Sequence, residues 1–178
     1  MIGEISHIKM FSPIELEIYP NNSFYIGKIK IDDELIKESS SFSDLETIII
    51  LDRSGSMGSS TYDIVKKILP KFFQKLGYSE QEKINLITFS QFTEQFEGNY
   101  EEISKSNVCC LKDTFLLPAL RKLYSLIEYS KKKKFRILTI SDGILNDQIE
   151  SMIFSNSIND LIKQKQILIN SQAIRFFT

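Results

Sequence analysis

A carboxylate and two hydroxyls stand at alternate positions in the segment Asp52-x-Ser54-x-Ser56. Because a turn can present alternate residues on one side, these three side chains can direct their oxygen atoms to one point. Oxygen-only sites favour hard cations, and Mg²⁺ prefers six oxygen ligands at about 2.0–2.1 Å while keeping some water. Gly55 and Gly58 allow the loop to turn tightly without Cβ clashes. The pattern indicates a site for Mg²⁺, with Mn²⁺ or Ca²⁺ as alternatives.

The same loop has a second interpretation. Hydroxyl side chains follow it at Ser59, Ser60 and Thr61, and such residues commonly cap the first turn of a helix. The loop would then be a turn that starts a helix and binds no ion. The residues of the loop alone leave both interpretations open.

The elements around the loop decide where it lies. The run Thr47–Leu51 is continuously apolar and β-branched, which is typical of a strand covered on both faces in a parallel sheet. After the loop, apolar residues at helical spacing from Val65 to Leu76 predict an amphipathic helix that ends at Gly77 and is kinked at Pro70. The further predicted elements are strands at Ile84–Phe89 and Phe92–Phe96, a helix at about Phe115–Ser130, a strand at Phe135–Ile140, a helix at about Asp147–Lys165 and a strand at Ala173–Phe177.

Alternating strands and helices predict an α/β domain with a mostly parallel central sheet flanked by helices. Ligands of such sheets bind at the carboxyl ends of the strands, where the loop after Leu51 must lie. Residues 14–31 alternate around Pro20-Asn21-Asn22 and predict a β hairpin packed outside the sheet. We therefore expect residues 1–44 to form an N-terminal β extension with a serine-rich linker, and residues 45–178 to form the main domain.

The segment from Ile48 to Met57 closely resembles the signature of the von Willebrand factor A (VWA) family. The metal-ion-dependent adhesion site of that family is written Asp-x-Ser-x-Ser, followed by a distant Thr and a distant Asp. Thr114 stands in a loop before the second long helix, and Asp142 stands at the end of a strand, where the family places these two residues. The resemblance covers roughly residues 46 to 178 and implies the Rossmann-like VWA fold.

The resemblance also implies a role for each residue of the site. Ser54 and Ser56 would bind the cation directly, Asp52 and Asp142 directly or through water, and Thr114 would be the switchable ligand. One exchangeable water would remain on the cation, and the carboxylate of an Asp or Glu of a protein partner could replace it. The resemblance thus implies a protein-binding module and no enzyme.

The chain departs from the family pattern at two places. Lys112 and Asp113 precede Thr114, whereas the family often has glycines there, and Asp113 would either weaken the binding of ligand carboxylates or supply an extra metal contact. The family fold normally continues with a further strand and a helix. We therefore expect an incomplete C-terminal part, an open sheet edge, and a place in a larger protein or assembly.

Composition narrows the classes of partner. The chain of 178 residues has 22 basic and 23 acidic side chains and a formal net charge of −1, so no global field draws it to nucleic acid or to an anionic membrane. No apolar run approaches the roughly 18 residues of a membrane span. The adjacent Cys109 and Cys110 suit neither a disulfide framework nor a zinc site, and free cysteine is more often a small packing residue than a redox sensor. These features favour a reduced, cytoplasmic setting.

Two rival functions remain open. The only histidine, His7, lies in the extension, so a catalytic triad has no base near the loop. An Mg²⁺-dependent phosphohydrolase could use Asp52 as its nucleophile, but Ser54 occupies the position where such an enzyme needs a second acid. The other rival is a scaffold module that needs no metal.

Overall fold

The computed structural model describes the backbone of residues 14–21, 24–31 and 44–175 and the side chains of residues 44–173. The chain divides into two compact units, Met1–Ser41 and Phe42–Thr178. In the first unit, strand β1 (Ile14–Asn21) pairs antiparallel with strand β2 (Phe24–Ile31). The predicted hairpin is therefore present, and its predicted packing outside the sheet stays a prediction. The predicted serine-rich linker lies outside the described residues.

The second unit is built on a sheet of five strands, namely β3 (Leu45–Asp52), β4 (Ile84–Phe89), β5 (Thr93–Gly98), β6 (Lys134–Ser141) and β7 (Leu168–Arg175). Their order across the sheet is β5-β4-β3-β6-β7. Strand β3 is parallel to both of its neighbours, β7 is parallel to β6, and β5 is antiparallel to β4. The prediction of a mostly parallel sheet with Ile48–Leu51 in a central strand is confirmed.

The first helix, α1, changes its geometry along its length. It runs through an α-helical turn at Ser60–Asp63, a π-helical segment at Ile64–Ile68 and an α-helical part at Leu69–Lys75. Pro70 has no N–H to donate, and its ring clashes with the carbonyl four residues earlier in a regular α-helix. The wider π turns directly before Pro70 give that carbonyl more room. A π-helical segment thus precedes Pro70, and the kink predicted at Pro70 stays a prediction.

Three more helices complete the unit, namely α2 (Tyr100–Lys105), α3 (Leu117–Tyr129) and α4 (Gln148–Lys165). Helix α2 was missing from the sequence-based prediction. The last strand was predicted to begin at Ala173, which is wrong, because β7 already begins at Leu168. It is an edge strand, and Asn170, Ser171 and Gln172 interrupt its apolar pattern.

Helices cover the sheet on both faces. Ile49 and Leu51 of β3 pack with α1 and α2 on one face, and Ile48 and Ile50 pack with α3 and α4 on the other, each with at most 2% of its surface exposed. Burial on both faces is why β3 reads as an uninterrupted apolar run. Within the described part of the chain, no helix is long and apolar enough to cross a membrane.

Gly77 ends α1 in a left-handed conformation with φ of 80°, and a Cβ added there would meet open space. The cost of Gly77→Ala is therefore confined to the backbone, and we expect the free energy of unfolding to fall by about 1 kcal/mol. Urea denaturation measures this change, with Lys75→Ala in the exposed last turn as the control. An unchanged stability in Gly77→Ala would show that this helix end is not held in the left-handed region.

Candidate metal centre

The loop after β3 gathers the oxygens of its own residues. Asp52 is fully buried, and its Oδ1 accepts a hydrogen bond from the backbone N–H of Ser54 at 2.8 Å. The hydroxyls of Ser54 and Ser56 lie 3.0 Å apart. Ser54 is buried whereas Ser56 is exposed, so the group opens to solvent on one side. The side chain of Ser59, which precedes the helix, makes no capping hydrogen bond.

Two further residues fix Asp52 in place. The hydroxyl of Thr61 donates to the main-chain oxygen of Asp52 at 3.2 Å, which ties the start of α1 to the end of β3. The hydroxyl of Ser141 donates to Asp52 Oδ2 at 2.7 Å and accepts from the N–H of Gly143 at 2.9 Å. The loop after β6 therefore holds one carboxylate oxygen of the loop after β3.

Asp142 follows Ser141 at the end of β6 and is 5% exposed. Its Oδ1 accepts a hydrogen bond from the N–H of Ile144 at 3.1 Å, and its charge repels that of Asp52. Two carboxylates that repel each other in a buried place are the arrangement that a divalent cation relieves.

Thr114 is bound to the loop after β6 through its backbone. Its N–H donates to the Oδ1 of Asn146 at 2.7 Å, and its carbonyl accepts from the N–H of Asn146 at 2.9 Å. The preceding Asp113 has φ of 61°, in the left-handed region that favours glycine and tolerates aspartate better than most residues. Asp113, which stands where the family often has a glycine, thus lies at a left-handed backbone position.

The segment that carries Thr114 crosses the carboxyl ends of two strands. The N–H of Leu111 donates to the carbonyl of Arg53 at 2.9 Å, and Leu111 forms an isolated parallel bridge with Ser54. Further along, the N–H of Phe115 donates to the carbonyl of Ser90, just after β4, at 3.1 Å. These contacts bring the Thr114 segment to the same edge of the sheet as Asp52.

Burial dominates the electrostatics of Asp52. Removal from water raises the pKa of this carboxyl, and the hydrogen bonds from Ser141 and Ser54 oppose that rise only in part. Arg53 is also buried, but its guanidinium pairs with Glu94 at 2.7 Å and donates to the carbonyl of Phe92 at 3.3 Å. Arg53 is thus committed to the β4–β5 hairpin, and among the side chains that the structure describes, no cationic group forms an ion pair with Asp52.

Sequence reasoning missed the residues that support the site. Ser141 and Asn146 are described above, and the buried Asp147 accepts hydrogen bonds from the N–H groups of Leu116 and Leu117 at the start of α3. Their partners lie about 30 to 90 residues away in sequence. Spacing along the chain therefore gave no signal for these three contacts.

The donor set fits a hard divalent cation. The five residues predicted for the site supply two carboxylates and three hydroxyls, from loops that hydrogen bond to one another at one edge of the sheet. Among the described residues, no group of three or more His, Cys, Asp or Glu is placed to hold a metal, so a site here depends on hydroxyl oxygens. That all five residues converge on a single ion stays a prediction.

Comparison with solved structures identifies the fold, whereas no family model and no curated protein matches the chain. Manganese-loaded TRAP protein of Plasmodium vivax is 16% identical over 74% of the chain, with a TM-score of 0.51. Proximal thread matrix protein 1 of the mussel byssus, with a zinc-occupied MIDAS motif, is 13% identical over 75% of the chain, with a TM-score of 0.54. The von Willebrand factor domain of the pilus tip protein Mfa5 of Porphyromonas gingivalis is 16% identical over 57%, with a TM-score of 0.44.

The chain spans 58%, 37% and 38% of the lengths of these three chains, respectively. With its sheet order and its flanking helices, the second unit has the fold of a von Willebrand factor A-like domain. The prediction of a VWA-like fold is confirmed.

Burial raises the pKa of Asp52 in the folded chain, so the folded state holds this proton more tightly than the unfolded state does. The stability contributed by the carboxyl is complete below its ordinary pKa and is lost as the pH rises through the raised folded value. In EDTA, we expect the free energy of unfolding of the wild type, relative to Asp52→Asn, to increase as the pH falls from neutrality to about pH 4. Urea denaturation at each pH measures it. If the free energy of unfolding of the wild type, relative to that of Asp52→Asn, instead decreases as the pH falls, the result contradicts a raised pKa of Asp52.

Proposed function

We propose that this chain is a divalent-cation-dependent protein-binding module. Its metal residues are Asp52, Ser54, Ser56, Thr114 and Asp142. The observation that carries the proposal is the buried carboxylate of Asp52, whose pKa is raised although two hydrogen bonds support its charged form. A nearby cation is the missing compensation, because a buried charge is stable only when it is paired or coordinates a metal.

The residues of the chain prepare this site before any ion arrives. Ser141 fixes one oxygen of Asp52, and Asn146 fixes the backbone of Thr114. When bound, Mg²⁺ supplies a positive centre with exchangeable water positions, one of which an Asp or Glu carboxylate of a partner protein can take. The exposed Ser56 marks the side from which such a carboxylate reaches the site.

Two solved structures with the same fold support the class of ion. TRAP protein is described with manganese, and the mussel protein with zinc in its MIDAS motif. We propose Mg²⁺ for this chain because every side chain offered is an oxygen donor, and hard donors suit Mg²⁺ better than they suit zinc. Mn²⁺, which takes similar ligands, is the alternative.

Catalysis is disfavoured by the residue two positions after Asp52. A phosphohydrolase that used Asp52 as nucleophile would need an acid at that position, whereas Ser54 stands there with its hydroxyl against that of Ser56. The proposal therefore expects no release of phosphate from phosphate monoesters or ATP in the presence of Mg²⁺. A scaffold that needs no metal would give the same result, so ion binding itself must be measured.

The first prediction of the proposal concerns metal-linked stability. Saturation of wild-type chain with Mg²⁺ should raise the free energy of unfolding by RT ln(1 + [Mg²⁺]/Kd), or about 2.7 kcal/mol at roughly 100 times Kd. Asp52→Ala should remove this increase, while the metal-free variant should be at least as stable as metal-free wild type because the cost of burying the carboxylate and its repulsion with Asp142 are both gone. Thermal or urea denaturation with and without EDTA measures both effects.

Asp160→Ala, an exposed acid near the far end of α4, is the matched control and should keep the full response to Mg²⁺. The proposal fails if calorimetry on folded wild type detects neither Mg²⁺ nor Mn²⁺ binding at millimolar concentrations. It also fails if Asp160→Ala and Asp52→Ala lose the response equally.

The second prediction concerns the support of Asp52. Ser141→Ala removes the hydroxyl that holds Asp52 Oδ2, and loss of such an outer partner typically weakens metal binding by about 10 to 100 times. We expect that range for Mg²⁺ by calorimetry. Ser155→Ala in α4, whose hydroxyl bonds only within its own helix, should bind as wild type. If Ser141→Ala and wild type bind Mg²⁺ with equal affinity, Ser141 does not support the metal site.

A further inference from the structure

Cys109 and Cys110 are adjacent free cysteines, and both are exposed. The expectation that they serve as small apolar packing residues is wrong for both. Exposed thiols are open to oxidants, and two thiols on neighbouring residues have a second thiol at hand for each first oxidation product.

This pair lies against the loop that carries the candidate metal residues. The S–H of Cys110 is directed at the carbonyl oxygen of Gly58, at the end of that loop. The next residue, Leu111, donates its N–H to the carbonyl of Arg53, at the start of the loop. Two consecutive residues therefore contact the loop at both of its ends.

The contact at Gly58 bears on Ser56. Gly58 has φ of 49° and ψ of −137°, and its N–H donates to the carbonyl of Gly55, which closes the short turn Gly55–Met57 that carries Ser56. Loss of the Cys110 contact at the carbonyl of Gly58 therefore disturbs the turn that carries Ser56.

We propose that Cys109 and Cys110 are an oxidation site for peroxides, and that closure of a disulfide between them loosens the metal loop. One thiolate attacks a peroxide oxygen and expels the other oxygen as hydroxide or alkoxide, which takes up a proton to give water or an alcohol, and a sulfenic acid forms. The neighbouring thiolate then attacks that sulfur, and the sulfenic oxygen leaves as water. Two thiols are oxidised, one peroxide is reduced, and a sulfur–sulfur bond forms. The effect on metal binding rests on the function proposed above.

Closure changes the loop for two reasons. The oxidised Sγ of Cys110 carries no proton, so it can no longer donate to Gly58. Adjacent Cα atoms are about 3.8 Å apart, which is shorter than the roughly 4.4–6.8 Å usual between the Cα atoms of disulfide-bonded cysteines. The backbone at these two residues must therefore distort, and Leu111 follows directly.

The experiment compares reduced and peroxide-treated chain. Treatment with hydrogen peroxide should remove the mass of two hydrogen atoms from the monomer, and dithiothreitol should restore it. The oxidised chain should bind Mg²⁺ roughly five times more weakly by calorimetry, which corresponds to the loss of about one net hydrogen bond. Cys109→Ser cannot close the disulfide and keeps the Cys110 contact, so without peroxide it should bind Mg²⁺ as reduced wild type, and peroxide should not remove two hydrogen atoms from its monomer. Cys110→Ala should mimic oxidation even when reduced.

The outcomes separate this inference from the proposed function. If reduced wild type binds Mg²⁺ and the disulfide forms without a change in affinity, the inference is wrong and the function stands. If peroxide yields only dimers or sulfinic acid, the oxidation site is also wrong. If reduced wild type binds no Mg²⁺, the proposed function fails. The melting temperature of the metal-free chain then decides the inference, since disulfide closure must lower it in wild type and dithiothreitol must restore it.

Discussion

The charge of Asp52 at the end of a strand buried on both faces is the constraint on which the rest of this molecule depends. Burial opposes the ionised carboxylate, and hydrogen bonds from Ser54 and Ser141 offset only part of that penalty, so its pKa is raised. Asp142 adds repulsion from the neighbouring loop. If this charge had no function, an uncharged residue in place of Asp52 would make the fold more stable. A divalent cation compensates the charge, so the cost of burying the carboxylate favours binding of the ion.

The sheet order explains why the two carboxylates meet. From β3 the chain moves to β4 on one side, and it later returns to place β6 on the other side. The direction in which the chain crosses the sheet therefore reverses at β3. At such a reversal the loops after the neighbouring strands leave a crevice at the carboxyl ends of those strands, and ligands of open α/β sheets bind in this crevice. Asp52 is the last residue of β3, and Asp142 directly follows β6, the other strand that flanks this crevice.

The third loop closes the arrangement. The segment before α3 is bound to the loop after β3 through Leu111 and to the loop after β6 through Asn146. Its backbone includes Asp113 in a left-handed conformation, which costs about 1 kcal/mol for a residue other than glycine and persists only where the surroundings enforce it. The contacts of Leu111 and Thr114 on both sides of Asp113 are those surroundings. The loop that carries Thr114 is thus preorganised.

Sequence patterns predicted the features that depend on local chemistry. The bounds of Ile84–Phe89 agree with the structure, and the loop after the buried run at Ile48–Leu51 was placed at the correct end of the sheet. Helix α2 was missed although its signal, a capping box of Asn99 and Glu102, is visible in the sequence. The hydrogen bond of Ser141 to Asp52 was not predictable, because it joins residues 89 positions apart and exists only once β3 and β6 are paired.

The most direct test of the account is the place at which a divalent cation binds. Mn²⁺ is paramagnetic and takes the ligands of Mg²⁺, so a small amount added to isotope-labelled chain broadens the backbone amide signals of residues near the ion. If the ion binds at the proposed site, the amide signals of Ser54, Thr114 and Ile144 broaden first, and added Mg²⁺ restores them. The amide signals of Glu46 and Ser130, at the opposite end of the sheet, stay sharp. Broadening that starts at Glu46, or that appears evenly along the chain, would contradict binding at this site.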